Sequence, residues 1–245
     1  MKAKIQSPLF PIYFVLFLDN FGFAIILTLI APLFIDPNFG MVSAQTSNIL
    51  RNIMMGLTLA IFPLGQFFGS PFLGDLADTF GRKKVFYLTI AGSIIGFLLS
   101  GISILCHSFF ALFLSRLLTG FISGNLSICL ASIADLSPDD KSRTRNFSMI
   151  VIITGISWML AMIAGGYFSN PEISKSFNPS IPFFLTAFLS FLSLLAIAYL
   201  FKETHPTTQK FKINLHQSLI HIKEILLIKK LRIFFAIYFF WILGW

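Results

Sequence analysis

Two ionisable side chains interrupt stretches that are otherwise apolar: Asp19, in Leu18-Asp19-Asn20-Phe21-Gly22-Phe23, and Arg116, in Arg116-Leu117-Leu118-Thr119-Gly120. Near the centre of a lipid bilayer an ionisable residue costs at least about 2.5–3.5 kcal/mol on insertion scales, so each needs a use or a partner. A carboxylate at Asp19 facing a water-filled cavity could carry a proton or meet a cationic substrate; the structural alternative is an acid capped by polar neighbours such as Asn20. A guanidinium stays charged at ordinary pH and must meet a carboxylate, backbone carbonyls or water. Arg116 could therefore modulate a proton-carrying acid or pin helices together, and pairing with Asp19 is one option, although the two lie in opposite halves of their spans. Asn20, Gln66, Ser123, Asn125, Ser127 and the Trp158 indole are further polar groups within apolar runs that could line a pathway.

A second concentration of charge is the tight loop Gly74-Asp75-Leu76-Ala77-Asp78-Thr79-Phe80-Gly81-Arg82-Lys83-Lys84. Gly74 and Gly81 permit close packing and a sharp reversal, and Asp78 and Arg82, four apart, can form a charge pair. Asp135, at the same end of its own span, is placed to join them. Such pairs could break and reform as helices move, acting as a latch, or be purely structural. Ser137-Pro138-Asp139-Asp140 reads as a helix start, with Ser137 as N-cap and Pro138 at the first helical position.

The elements that must hold these residues are membrane spans. Of 245 residues 56% are hydrophobic and 11% charged, well short of the roughly one quarter charged in soluble domains. Cutting at charged and Pro/Gly/Asn clusters leaves six apolar runs of about 20 residues or more: 10–34, 53–73, 85–105, 109–136, 149–169 and 181–201. The expected fold is all-α, a polytopic bundle of six full transmembrane helices plus a truncated seventh from Ile233 to Trp245. Residues 1–201 would form the bundle, 202–232 a linker and 233–245 the start of a second bundle. Within the linker, Leu215, Leu219, Ile222 and Leu226 share one helical face, which suits a helix at the cytoplasmic membrane surface, first as a tether between two bundles and alternatively as a lipid-contacting or regulatory helix. Pairs of glycines four apart, at Gly65/Gly69, Gly92/Gly96 and Gly120/Gly124, suit close helix packing.

The net charge of +8 is a topology signal. Fifteen of the eighteen cations fall before span one, between spans two and three, between four and five, and after span six. Arg51 and Lys175 lie on the other side and Arg116 within a span. By the positive-inside rule the amino terminus and the long loop after span six are cytoplasmic, in a cell (inner) membrane, and nucleic acid is not an expected partner. Cys106 and Cys129 make neither a disulfide framework nor a four-ligand zinc site, and no cofactor or metal motif is present. His107 stands beside Cys106 without a set of acids or nucleophiles at its depth, so an enzyme is not expected.

The eleven residues Gly74–Lys84 resemble the loop-two signature of the major facilitator superfamily, G-x-L-A-D-R-x-G-R-[RK]-x, with Thr79 at a usually basic position. Arg116-Leu117-Leu118-Thr119-Gly120 is similar to the span-four R-x-x-Q-G signature, with Thr119 in place of Gln, and Asp19 followed by Gly22 resembles span one of tetracycline-type drug:proton antiporters. Of the span-five antiporter signature ending G-P-x-x-G-G, only Gly165-Gly166 is retained after Ala161-Met162-Ile163-Ala164. The resemblance covers the amino-terminal half of that architecture, in which two six-helix bundles, each a pair of inverted three-helix repeats, enclose the substrate. It implies a secondary transporter working by alternating access, with proton-coupled efflux expected. On it, Gly74, Asp78, Gly81, Arg82 and Asp135 belong to a conformational latch, and Asp19, Arg116, Asn20, Gln66 and Asn125 to the proton-coupling region or cavity. Expected partners are a small-molecule substrate, protons, membrane lipid and a second bundle from another chain. Two alternatives stand beside this reading: a non-transporting remnant or interaction subunit, and a metabolite uniporter or proton symporter.

Overall fold

Long apolar runs leave a backbone in lipid one way to satisfy its polar groups, as helix. The computed structural model describes residues 8–36, 39–43 and 45–204, with Ile228, Ile233 and Ile237 beyond them. The chain divides into two compact units, Met1–Thr208 and Gln209–Trp245. The linker helix, most of the seventh run and the first two lysines expected from sequence lie outside the described residues. Within the first unit seven helices are described: α1 Phe10–Ile35, α2 Asn48–Phe80, α3 Arg82–Leu105, α4 Phe109–Ile122, α5 Asn125–Asp135, α6 Asp140–Phe168 and α7 Ile181–Leu200. With α4 and α5 taken as one broken span, they give six crossings long and apolar enough for a membrane.

Two helices outrun their apolar cores. At about 1.5 Å per residue α2 reaches about 50 Å and α6 about 44 Å, against a hydrocarbon core of about 30 Å. Their polar ends, such as Asp75 and Asp78 on α2 and Lys141, Arg143 and Arg145 on α6, remain helical beyond the apolar stretch. The α6 start differs from expectation. Its N-cap is Asp139, whose carboxylate accepts the Ser142 N–H at 2.6 Å while Ser142 Oγ reaches the Asp139 backbone N–H at 3.3 Å. Ser137 instead donates to the Ile133 carbonyl (2.6 Å) and accepts from Asn146 Nδ2 (3.0 Å), so it closes α5 and the helix begins two residues later.

The packing has the symmetry of an inverted repeat. α1 packs chiefly on α6, α2 on α4, and α3 on α7. If α1–α2–α3 is matched to α4/α5–α6–α7, the first pair maps onto the second and the third onto itself, as a two-fold axis requires. Glycines set how close these helices come. A Cβ at Gly120 would land on the Phe62 carbonyl, and one at Gly69 on the Phe121 carbonyl, so α2 and α4 meet backbone to backbone. Two buried apolar clusters result. One contains Ile12, Leu16, Leu73, Phe86, Ile128 and Phe201, the other Phe21, Ile25, Leu29, Phe97, Leu112 and Phe183.

Candidate functional site

Between the two apolar clusters lies a polar layer. On α1 it falls between Leu16 and Phe21, and on the broken span between Leu112 and Ile128. The sequence run 109–136 reads as one helix, but the structure breaks it at Ser123 and Gly124. Ser123 N–H turns back to the Thr119 and Gly120 carbonyls, and Gln66 Nε2 of α2 donates to the Ser123 carbonyl at 2.9 Å. A carbonyl freed by the break thus finds a side-chain donor, as buried backbone groups must. Asn125, fully buried, opens α5.

Asn125 Nδ2 donates to Asp19 Oδ1 at 3.1 Å. Asn20, the expected cap for Asp19, turns away and donates to the Leu16 carbonyl at 2.9 Å. Asp19, Asn20 and Gln66 line a pocket of about 190 Å³ with Leu16, Phe23, Phe62, Pro63 and Leu126. Drug-sized ligand pockets run about 300–1,000 Å³, so this volume suits one wall of a binding cavity rather than the whole.

Arg116 is fully buried but does not pair with Asp19. Both terminal nitrogens reach the Gly22 carbonyl at 3.4 Å, and the guanidinium carbon sits 4.6 Å from the Phe62 ring centre and 5.9 Å from that of Phe183. Cation–π contact and one long carbonyl bond replace a carboxylate. Neither Phe62 nor Phe183 stood out in the sequence, since a phenylalanine among 31 carries no signal until its facing residue is known.

At the α2–α3 junction Gly81 has φ 91°, a conformation that suits glycine, and it ends α2. The expected Asp78–Arg82 pair does not form. Their four-residue spacing is helical only if the helix continues, and Gly81 stops it, leaving Asp78 exposed. Arg82, buried, pairs with Asp135 through Nη1 and Oδ2. Gly74 is not forced by packing, because a Cβ there would meet Ser127 Oγ at an ordinary 3.8 Å.

A contact not expected from the sequence completes this end. The Glu203 carboxylate accepts the backbone N–H groups of Arg82 and Lys83, both at 3.0 Å, capping the positive end of α3. In return Lys83 Nζ donates to the Ala198 and Phe201 carbonyls at 3.0 and 2.7 Å, capping the negative end of α7. The signal was Glu203 placed just past span six, but it gains meaning only when residues 120 apart meet. At the other end His107, in a left-handed conformation, meets the Phe39 carbonyl through Nδ1 at 2.6 Å, a loop closure rather than a reactive centre.

Six apolar crossings in an inverted repeat, with a carboxylate and carboxamides between two apolar clusters, make a polytopic membrane helix bundle. A family model described as Major Facilitator Superfamily matches residues 10–245, and the chain belongs to that family. It is similar to the class B tetracycline resistance protein of Escherichia coli, 29% identical over 152 residues, 62% of this chain and 35% of that protein. The class E protein of Escherichia coli is 25% identical over 195 residues, 80% of this chain and 44% of that one. A crystal structure of the human organic anion transporter MFSD10 (TETRAN) has the same fold, with TM-score 0.68 at 21% identity, covering 89% of this chain and 53% of the other. The chain spans less than half the length of these curated relatives. The family and these neighbours are transporters, not enzymes, and the chain is an integral membrane protein.

Proposed function

We propose that the chain carries out transmembrane transport of a small molecule by alternating access, driven by proton exchange and directed out of the cell. The observation that carries this reading is Asp19, a carboxylate at mid-depth that lines the pocket and accepts from Asn125 beside the break in the fourth span. A protonatable group beside a helix break at mid-membrane is where transporters of this kind place coupling ions. The pocket, with one acid, two carboxamides and the rings of Phe23 and Phe62, suits a small amphiphilic compound bearing an aromatic or cationic part. Tetracycline is the first candidate, from the names of the similar resistance proteins.

In this reading the α2–α3 junction is cytoplasmic, following the lysines and arginines. Arg82, Asp135, Lys83 and Glu203 hold α3, α5 and α7 together there in one state and part in the other. The exposed faces of α2 and α6 take a second six-helix bundle that closes the cavity; α6 buries only Asn146, Ser157, Ala161 and Gly165 within its own bundle. The test uses everted membrane vesicles with an acid interior and a fluorescent pH probe. Adding tetracycline should discharge the gradient in vesicles carrying the chain and not in empty ones. Equal traces in both would reject proton-coupled export of this compound.

A further inference from the structure

The carboxyl of Asp19 and the carboxamide of Asn125 are joined by one hydrogen bond, Nδ2 to Oδ1 at 3.1 Å. The remaining oxygen of each, Asp19 Oδ2 and Asn125 Oδ1, is buried and has no hydrogen-bond partner. Both are acceptors when Asp19 is ionised, and a buried acceptor without a donor costs its full desolvation. Rotating the amide does not help, because it would set Asn125 Oδ1 against Asp19 Oδ1. One added proton, if it bridged them, would satisfy both atoms. On Asp19 Oδ2 it makes a donor of that oxygen, and Asn125 Oδ1 is the acceptor left to receive it.

We propose that Asp19 and Asn125 form a carboxylic acid–carboxamide pair that holds the transported proton between Asp19 Oδ2 and Asn125 Oδ1, and that loss of this proton releases α5 from α1 at the break. Asn125 is thus a positioning residue for the proton. The step is a simple transfer: the Oδ2–H bond breaks, its electron pair stays on the carboxylate, and the proton passes to water in the pocket that Asp19 lines. What remains is two buried acceptor oxygens without a donor where α1 meets α5. Asn125 is the first residue of α5 and follows the two-residue break, so its release moves a helix end that is already uncoupled from α4.

The other charged and titratable groups around the pair have their own engagements. Arg116 of α4 holds the Gly22 carbonyl. The Cys129 thiol of α5 points to the Ile12 carbonyl at 3.9 Å. From α6 the nearest polar contact to α1 is Ser157 Oγ to the Phe17 carbonyl, at 2.5 Å. Gln66 of α2 is spent on Ser123, and the ion pair of the α2–α3 junction, Arg82 with Asp135, does not involve Asp19.

This inference rests on the proton-carrying role proposed for Asp19, and infrared difference spectra separate the two. The full chain in lipid nanodiscs is compared between acid and alkaline buffer. A protonated-carboxyl C=O band should appear on acidification, together with a shift of a side-chain amide band at the same midpoint. Asp19→Asn should abolish the amide shift and the carboxyl component that shares its midpoint, leaving the bands of the other nine acidic side chains. Asn125→Leu should abolish the amide shift and move the carboxyl band to higher frequency, since the acid loses its acceptor. The double variant Asp19→Asn with Asn125→Asp reverses the roles and should restore both bands, which also guards against misfolding of the single variants. A carboxyl band unmoved in Asn125→Leu, a double variant without paired bands, or spectra that respond to Na⁺ at fixed pH would overturn the pairing. If tetracycline leaves the vesicle gradient intact while the paired bands behave as stated, the transport reading fails and the proton site stands.

Discussion

At the scale of single residues, burial separates what a charge does from where it sits. Arg116 is fully buried with no counter-ion among the described residues, and its one carbonyl partner is shared by both nitrogens at 3.4 Å. A buried charge without a counter-ion carries its desolvation cost with no Coulombic return, so replacing it by an apolar residue of similar volume removes that cost. Arg116→Met should therefore leave the thermal midpoint of the detergent-solubilised chain unchanged or raised, while abolishing flux. For a chain of this size 1 kcal/mol moves the midpoint by about 2–4 °C. A fall of more than about 4 °C would make Arg116 a structural pin instead. Asp19 and Arg116 were legible in the sequence because charge is rare in an apolar run. Their partners were not: Asn125, Gly22 and Phe62 are fixed by helix rotation, which a single span does not reveal.

Helices are set by glycine contacts and caps, and the two make opposite kinds of prediction. A Cβ at Gly120 strikes the Phe62 carbonyl, so Gly120→Ala should force α4 from α2 and cost at least about 1–3 kcal/mol. Gly155, on α6, has nothing within 4 Å of its Cβ position, and Gly155→Ala should be neutral or gain about 0.5–1 kcal/mol. Chemical unfolding of both variants checks the contrast, and similar losses would refute it. The α6 cap depends on pH. Hydrogen bonds from the Ser142 backbone and hydroxyl hold the Asp139 carboxyl below the usual range. A group depressed in the folded state contributes stability present above its unfolded pKa of about 3.9 and lost as pH falls through the lower folded value. Hydrogen exchange at Lys141–Arg143 should accelerate, relative to intrinsic rates, below about pH 4, and an Asp139→Ala chain should show that faster exchange already at neutral pH. The sequence placed this start at Ser137 because a serine followed by proline reads as a cap. It missed the break at Ser123–Gly124, whose Gln66 donor comes from another span.

Over the whole molecule, six crossings were legible because lipid demands long apolar runs and the cations mark one side. The expected Asp78–Arg82 pair failed for a local reason, the left-handed Gly81, and the observed Arg82–Asp135 pair joins residues 53 apart. Packing α1 on α6, α2 on α4 and α3 on α7 puts Asp19 and the break at one level between two apolar clusters, beside the pocket that Asp19 lines. In the proposed function this carboxyl couples proton movement to export. That coupling is tested most directly by radiolabelled tetracycline accumulation in everted vesicles under an imposed acid-inside gradient, with the chain carrying Asp or Asn at position 19. Gradient-dependent accumulation is expected with Asp19, and none above empty vesicles with Asp19→Asn at equal protein level. Undiminished, gradient-driven accumulation by Asp19→Asn would contradict it.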